Sequence, residues 1–235
     1  MKKLFSLSLV VGLLLTALSI QPTSVVKAQG PGFVSSLFSR MEKNQKSLKT
    51  LRANISMKKY NSQLHDEDKY EGIVLYIPGA AGSTSAFVRL EWTNPQHEIL
   101  AVANGNYSLY RPRLGTVLEG KTGSIKSSKD SDVLALMNMS TAQLRTKFGE
   151  LQDTRDETLW GGVHTTHFKV FPKTAANYKY IEVWVDEGGM PVQTKMVEKN
   201  DDSTTVRLTN VEKNQTIPLD QFKLKLDSNV KRLKG

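Results

Sequence analysis

There is no cysteine among the 235 residues of this chain, which excludes disulfide staples, thiol catalysis, cysteine-zinc sites and a lipidated N-terminal cysteine. Stability must come from an apolar core, and the chain is long enough to build one. Recognisable catalytic signatures are missing too: there is no nucleophile elbow and no H-E-x-x-H helix. Nor is there a basic helix or a glycine-aromatic RNA signature. The expectation is a protein that is not an enzyme, needs no cofactor and binds no nucleic acid.

Long apolar stretches are absent except at the start. Met1-Lys2-Lys3 is a positive lead, Leu4 to Ile20 is apolar, and Val26-Lys27-Ala28 supplies the small residues of a peptidase site. Ser6, Ser8, Gly12 and Thr16 dilute a run already short for a spanning helix. Residues 1–28 therefore read as a cleaved signal peptide, with Gln29 the first mature residue and 29–235 a single domain. Cleavage removes three lysines and no acid, taking the formal charge from +9 to +6. The remaining cations, such as Lys43, Lys46, Lys49, Arg52, Lys121 and Lys126, are spread along the chain and read as solvated faces.

What is present is chiefly alternation. Residues 33–48 place Val34, Leu37, Phe38, Met41 and Leu48 at helical spacing. From Leu51 the period becomes two: Leu51, Ala53, Ile55 and Met57 alternate with polar residues, the mark of a strand with one buried face. Further strands are expected at 70–77, 86–92, 98–102, 107–110, 178–186, 190–198, 204–211 and 222–226. Glu187-Gly188-Gly189 and Asn200-Asp201-Asp202-Ser203 read as hairpin turns. Residues 130–148 break the rhythm and predict helix, with Asp130 or Ser131 as a cap and Ser140-Thr141 as a break and second cap.

Two patterns promise more than their context supports. Gly115 to Thr122 fits the phosphate-loop pattern letter for letter, but a polar, turn-like run follows where a helix is required, so a strand and a turn are expected. His164 and His167 lie three apart, which in a strand puts them on opposite faces, and no further ligand has zinc-type spacing. Surface or edge histidines are expected, and no metal.

Val88 to Pro95, then Ile99 to Gly105, then Leu109-Tyr110-Arg111-Pro112 form a tryptophan-bearing strand, a proline turn, an apolar strand ending in Asn-Gly, and a strand ending in tyrosine and proline. With Ile181 to Asp186, Thr205 to Val211 and Phe222-Lys223-Leu224, this order resembles the LolA family, periplasmic carriers of outer-membrane lipoproteins. The resemblance implies an α+β, mainly β fold: a curved antiparallel sheet forming an unclosed half-barrel, with a helical lid and an N-terminal amphipathic helix. By the same resemblance Val88, Leu90, Trp92, Leu100 and Val102 line the wall of an apolar cavity, and Leu134, Met137 and Met139 lie on the lid. The implied function is a monomeric periplasmic carrier of acylated lipoproteins or related lipids, loaded by an inner-membrane releasing complex and unloaded to an outer-membrane acceptor. A non-transporting envelope-stress sensor on the same fold is the alternative. Members of the family latch the lid with an arginine before a proline. Here Ile77-Pro78 or Thr84-Ser85 stands at that place, with no arginine.

Overall fold

The computed structural model describes residues 31–79, 86–125 and 129–235. The expected signal segment with its cleavage site, and Thr84-Ser85, lie outside the described residues. Helix α1 (Pro31–Ser47) leads into β1 (Leu51–Asn61), β2 (Asp66–Ile77), β3 (Phe87–Asn94), β4 (Glu98–Ala103), β5 (Asn106–Arg111) and β6 (Thr116–Lys121). Two short helices follow, α2 (Lys129–Met137) and α3 (Thr141–Lys147). The second half contains β7 (Gln152–Leu159), β8 (Val163–Val170), β9 (Tyr178–Asp186), β10 (Pro191–Glu198) and β11 (Ser203–Lys213), and β12 (Lys231–Lys234) ends it.

All twelve strands form one curved, unclosed sheet in the order β12-β6-β5-β4-β3-β2-β1-β11-β10-β9-β8-β7. Two antiparallel meanders, β1 to β6 and β7 to β11, are joined where β1 pairs with β11 from Leu51↔Lys213 to Tyr60↔Ser203. The strict alternation in β1 decides which face is buried: Leu51, Ala53, Ile55 and Met57 all point to the helix-bearing inner face, with their neighbours exposed. Gly72 is required by packing, since a Cβ there would sit 2.2 Å from the Glu91 carbonyl oxygen. Gly189, at φ 86°, turns β9 into β10 directly beneath α1, where a Cβ would meet the Arg40 carbonyl.

The predicted elements form, with local differences, and the expected break in the helical segment is present. The helical region 130–148 is two helices, and Ser140 caps the second with a full capping box to Gln143. Helix α2, however, starts at Lys129, so Asp130 and Ser131 lie inside its first turn rather than before it. The charged run Gln152–Leu159 is an edge strand that carries no apolar period to reveal it. Residues 222–226 are not a strand. A short 3-10 turn at Leu219–Phe222 buries Phe222 on the outer face against Phe87, 5.8 Å between ring centroids, and half-buried Leu224 and Leu226 follow. Their alternation comes from crossing the back of the sheet. The closing strand is β12, and it runs parallel to β6.

The Gly115–Thr122 segment is strand β6 followed by a 3-10 turn, as expected, and lacks the helix a phosphate loop needs. The histidines do point to opposite faces, but only His164 is exposed. His167 is fully buried, bonded through Nε2 to Glu182 at 2.9 Å and through Nδ1 to the Asp153 carbonyl at 3.2 Å. This corrects the surface placement: a polar partner on the adjacent strand makes burial tolerable. The bond from His167 holds the Glu182 carboxyl below its usual range.

Candidate functional site

The inner face of β1 to β5 and β11 is one apolar wall. Cross-strand pairs Val88↔Val102 and Leu90↔Leu100 set the positions nominated from sequence side by side, and Trp92 lies at the same face. All five, Val88, Leu90, Trp92, Leu100 and Val102, are at most 4% exposed. The register extends the wall beyond them: Leu90 faces Val74, Leu100 faces Leu109, and Met57 lies opposite both Tyr70 and Val206. Met57, Val74, Leu109 and Val206 were not nominated, although the alternation that places Leu51 to Met57 on one face was already visible.

Helix α2 covers this wall. Val133 and Leu136 reach deepest, both buried, while Leu134 and Met137 pack against the same cluster half-buried. Met139 lies past the helix and packs elsewhere, on the second cluster formed by α1, α3, β8 and β9. In that cluster Leu37, Phe38 and Met41 of α1 meet Leu144 and Phe148 beside Phe168, Val170, Val183 and Val185.

Polar contacts tie α2 down at three places. At its start the Trp92 indole N–H donates to Asp130 Oδ1 at 2.9 Å, in a buried setting. Lys129 beside it bonds Glu98, which also accepts from Arg111 Nε at 3.2 Å. The Lys129 ammonium lies 5.3 Å from the Tyr70 ring centroid and 5.9 Å from that of Trp92. Further along, Asp132 is 3.9 Å from Lys59. At the far end Tyr76 Oη donates to Asn138 at 3.4 Å. Burial lifts the Asp130 carboxyl above its usual range, with the Trp92 bond pulling the other way. Asp132 is raised for the same reason, opposed by Lys59.

The inner face continues past α2 towards the β1–β2 and β10–β11 turns. There a polar cavity of about 350 Å³ is lined by Lys59, Tyr60, Leu64, Asp132, Met196 and Thr204, among others. No group of three or more histidines or carboxylates is arranged to hold a metal among the described residues. Of the two positions where the resemblance sought an arginine, Ile77 packs at the outer face with Leu75 and Phe222, and Thr84 lies outside the described residues.

An open, curved sheet with helices laid across its inner face is an architecture that supports binding or interaction. Residues 86–225 match the family model described as outer membrane lipoprotein carrier protein LolA, and the chain belongs to that family. No curated protein matches it. Among solved structures, an uncharacterized conserved protein from Thermus thermophilus superposes with a TM-score of 0.54 at 9% identity, covering 86% of this chain and 99% of its own. MucB gives 0.55 at 11% identity over 83% of this chain and 64% of its own. A chain of the Pseudomonas aeruginosa MucA/MucB complex gives 0.51 at 12% over 82% and 61%. This chain thus spans slightly under two thirds of those last two, and at such identities the likeness is one of fold.

Proposed function

We propose that this protein is a periplasmic carrier that holds the acyl chains of lipoproteins or related lipids between the inner face of its sheet and helix α2, and delivers them towards the outer membrane. The carrying observation is the pairing of a continuous apolar wall with a cover that is short and fastened by a few hydrogen bonds. Each methylene left in water costs about 0.8 kcal/mol, so an acylated cargo needs an apolar shelter to leave a bilayer. A nine-residue helix that buries two apolar side chains fully is a cover that can lift.

Because the chain has no cysteine, the cover can be locked selectively. Lys59→Cys and Asp132→Cys, joined by a short reducible cross-linker, should abolish uptake of a fluorescent fatty acid, and reductant should restore it. Uptake unaffected by the lock removes the inner face as the site. Native mass spectrometry of gently purified protein should find acyl-bearing ligand.

A second reading is a non-transporting interaction domain that recognises a partner at the envelope. It is favoured by the full burial of Leu90 and Trp92 beneath α2, since a molecule that never lifts the helix presents only its outer surface. Such a domain forms a lasting complex with a membrane regulator and moves no cargo between inner-membrane vesicles and an acceptor.

A further inference from the structure

We propose that the free β6–β12 edge of the sheet is a docking surface for an anionic lipid bilayer, made by Arg113, Lys231 and Lys234 with the exposed leucines Leu114 and Leu233. The proposal rests on the carrier reading and adds where the carrier meets its lipid source.

Strand β12 is four residues long and exposed throughout. It hangs on β6 through Lys231↔Thr116 to Lys234↔Glu119, and the Lys231 N–H donates to the Gly115 carbonyl at 2.9 Å. That bond sets the start of β12 beside the turn Pro112–Leu114 that joins β5 to β6. Leu114 at this tip is 64% exposed and Leu233 is 41% exposed. Arg111 and Arg232 are engaged by Glu98 and Glu119. Arg113, Lys231 and Lys234 have no ion pair among the described residues, and all three are exposed.

The charge is unevenly distributed. Residues 106–121 and 223–235 together carry an excess of six positive charges, as large as the net charge of residues 29–235 as a whole. At the other edge of the sheet, Arg155 of β7 is spent on Asp153 and Glu157. The excess of positive charge is therefore concentrated on the strands of this edge and the segment leading to it, while Lys43, Lys46, Lys49 and Arg52 lie on α1, β1 and the link between them. Lysines on an edge strand also deter strand pairing, but that purpose does not call for protruding leucines. Aliphatic side chains set among cations suit the headgroup boundary of a bilayer, and they offer no ring on which a base could stack.

The position has a functional logic. Arg111 opens the tip and bonds Glu98, the same carboxylate that bonds Lys129 at the start of α2. A bilayer at this edge would lie next to the end of the cover that Trp92 and Asp130 fasten. Roughly fivefold in affinity per cation gives binding that is specific for anionic lipid yet reversible, as a shuttle requires.

The test is flotation of the whole mature protein with vesicles of phosphatidylcholine alone or with added phosphatidylglycerol. Binding is expected only with phosphatidylglycerol and should be lost in roughly 0.5 M salt, where exposed charges are screened. Arg113→Glu with Lys231→Glu should weaken it at least about 25-fold, and Leu114→Ser about fivefold. Lys43→Glu with Lys199→Glu, two exposed cations elsewhere, should weaken it far less. Equal binding to neutral vesicles, no binding to either, or the same loss in both double variants overturns the proposal. Protein that carries acyl ligand but fails to float loses only this inference; protein that floats but never holds an acyl chain loses the carrier reading instead.

Discussion

Helices α1 and α2 lie across the same face of one sheet and are held there by different proportions of apolar burial and polar contact. Helix α1 buries Leu37, Phe38 and Met41 in an apolar cluster, and its polar contacts, among them Arg40 to Thr166 at 3.4 Å, Thr141 to Glu42 at 3.0 Å and Lys213 to Asn44 at 3.1 Å, add to that burial. Helix α2 inserts only Val133 and Leu136 fully and depends on the Trp92–Asp130, Lys129–Glu98 and Tyr76–Asn138 contacts. Apolar burial scales with area and has no single point of failure. A hydrogen bond contributes about 0.5 to 1.5 kcal/mol net and can be exchanged for one to water, so α2 is the more lightly seated of the two helices.

That contrast can be broken most heavily on the α1 side. Phe168→Ala, at a fully buried ring under α1, should cost about 3 to 5 kcal/mol and Leu37→Ala about 2 to 5, read from urea unfolding midpoints. On the α2 side Trp92→Phe keeps only part of the ring packing and removes the indole donor to the buried Asp130 carboxyl. We expect a loss of about 1 to 3 kcal/mol, with proteolysis around α2 accelerated while α1 stays protected. If both helices become accessible together, they form one unit and the contrast fails.

Acidity sharpens the same distinction. The Asp130 carboxyl titrates higher when buried than when exposed, so the buried state binds its proton more tightly. Its contribution is complete below the ordinary carboxylate range and diminishes as pH rises through the raised value. Asp132 acts in the same direction. Amide exchange in α2 should therefore quicken as pH rises above the ordinary carboxylate range, measured against α1 and corrected for intrinsic exchange, and Asp130→Asn should flatten that profile. The smallest effect is expected from Tyr76→Phe, about 0.5 kcal/mol, because its bond to Asn138 is long and partly exposed.

Much of this arrangement could be read in the residues, and what could not has physical causes. Leu51 to Met57 declares its buried face by alternation, and Ser140 with Gln143 announces a helix start through local chemistry. On β3 the alternation of Val88, Leu90 and Trp92 gives the same signal, whereas β4 is apolar from Ile99 to Val102 without alternation, and its inner residues were assigned through the family resemblance. Strand β7 has no such signal: at an edge, with only Leu159 buried, nothing selects apolar residues at every second place. Phe222, Leu224 and Leu226 carry the signal for a different reason, crossing strands instead of joining them. The role of Asp130 was hidden because its partner, Trp92, is 38 residues away and only tertiary structure brings the two together. His167 was misplaced for the same cause, its partner Glu182 lying on the next strand.

The seam between β1 and β11 joins residues 51–60 to residues 203–213 through nine pairs. Until residue 213 is available, β1 keeps an unpaired edge and the two meanders remain separate pieces, and closing so long a loop is among the slower steps a chain can take. Joining of the two meanders is thereby postponed until residues 203–213 are present. The inner face that α1 and α2 cover is thus the product of both halves of the chain, and neither meander can present it alone.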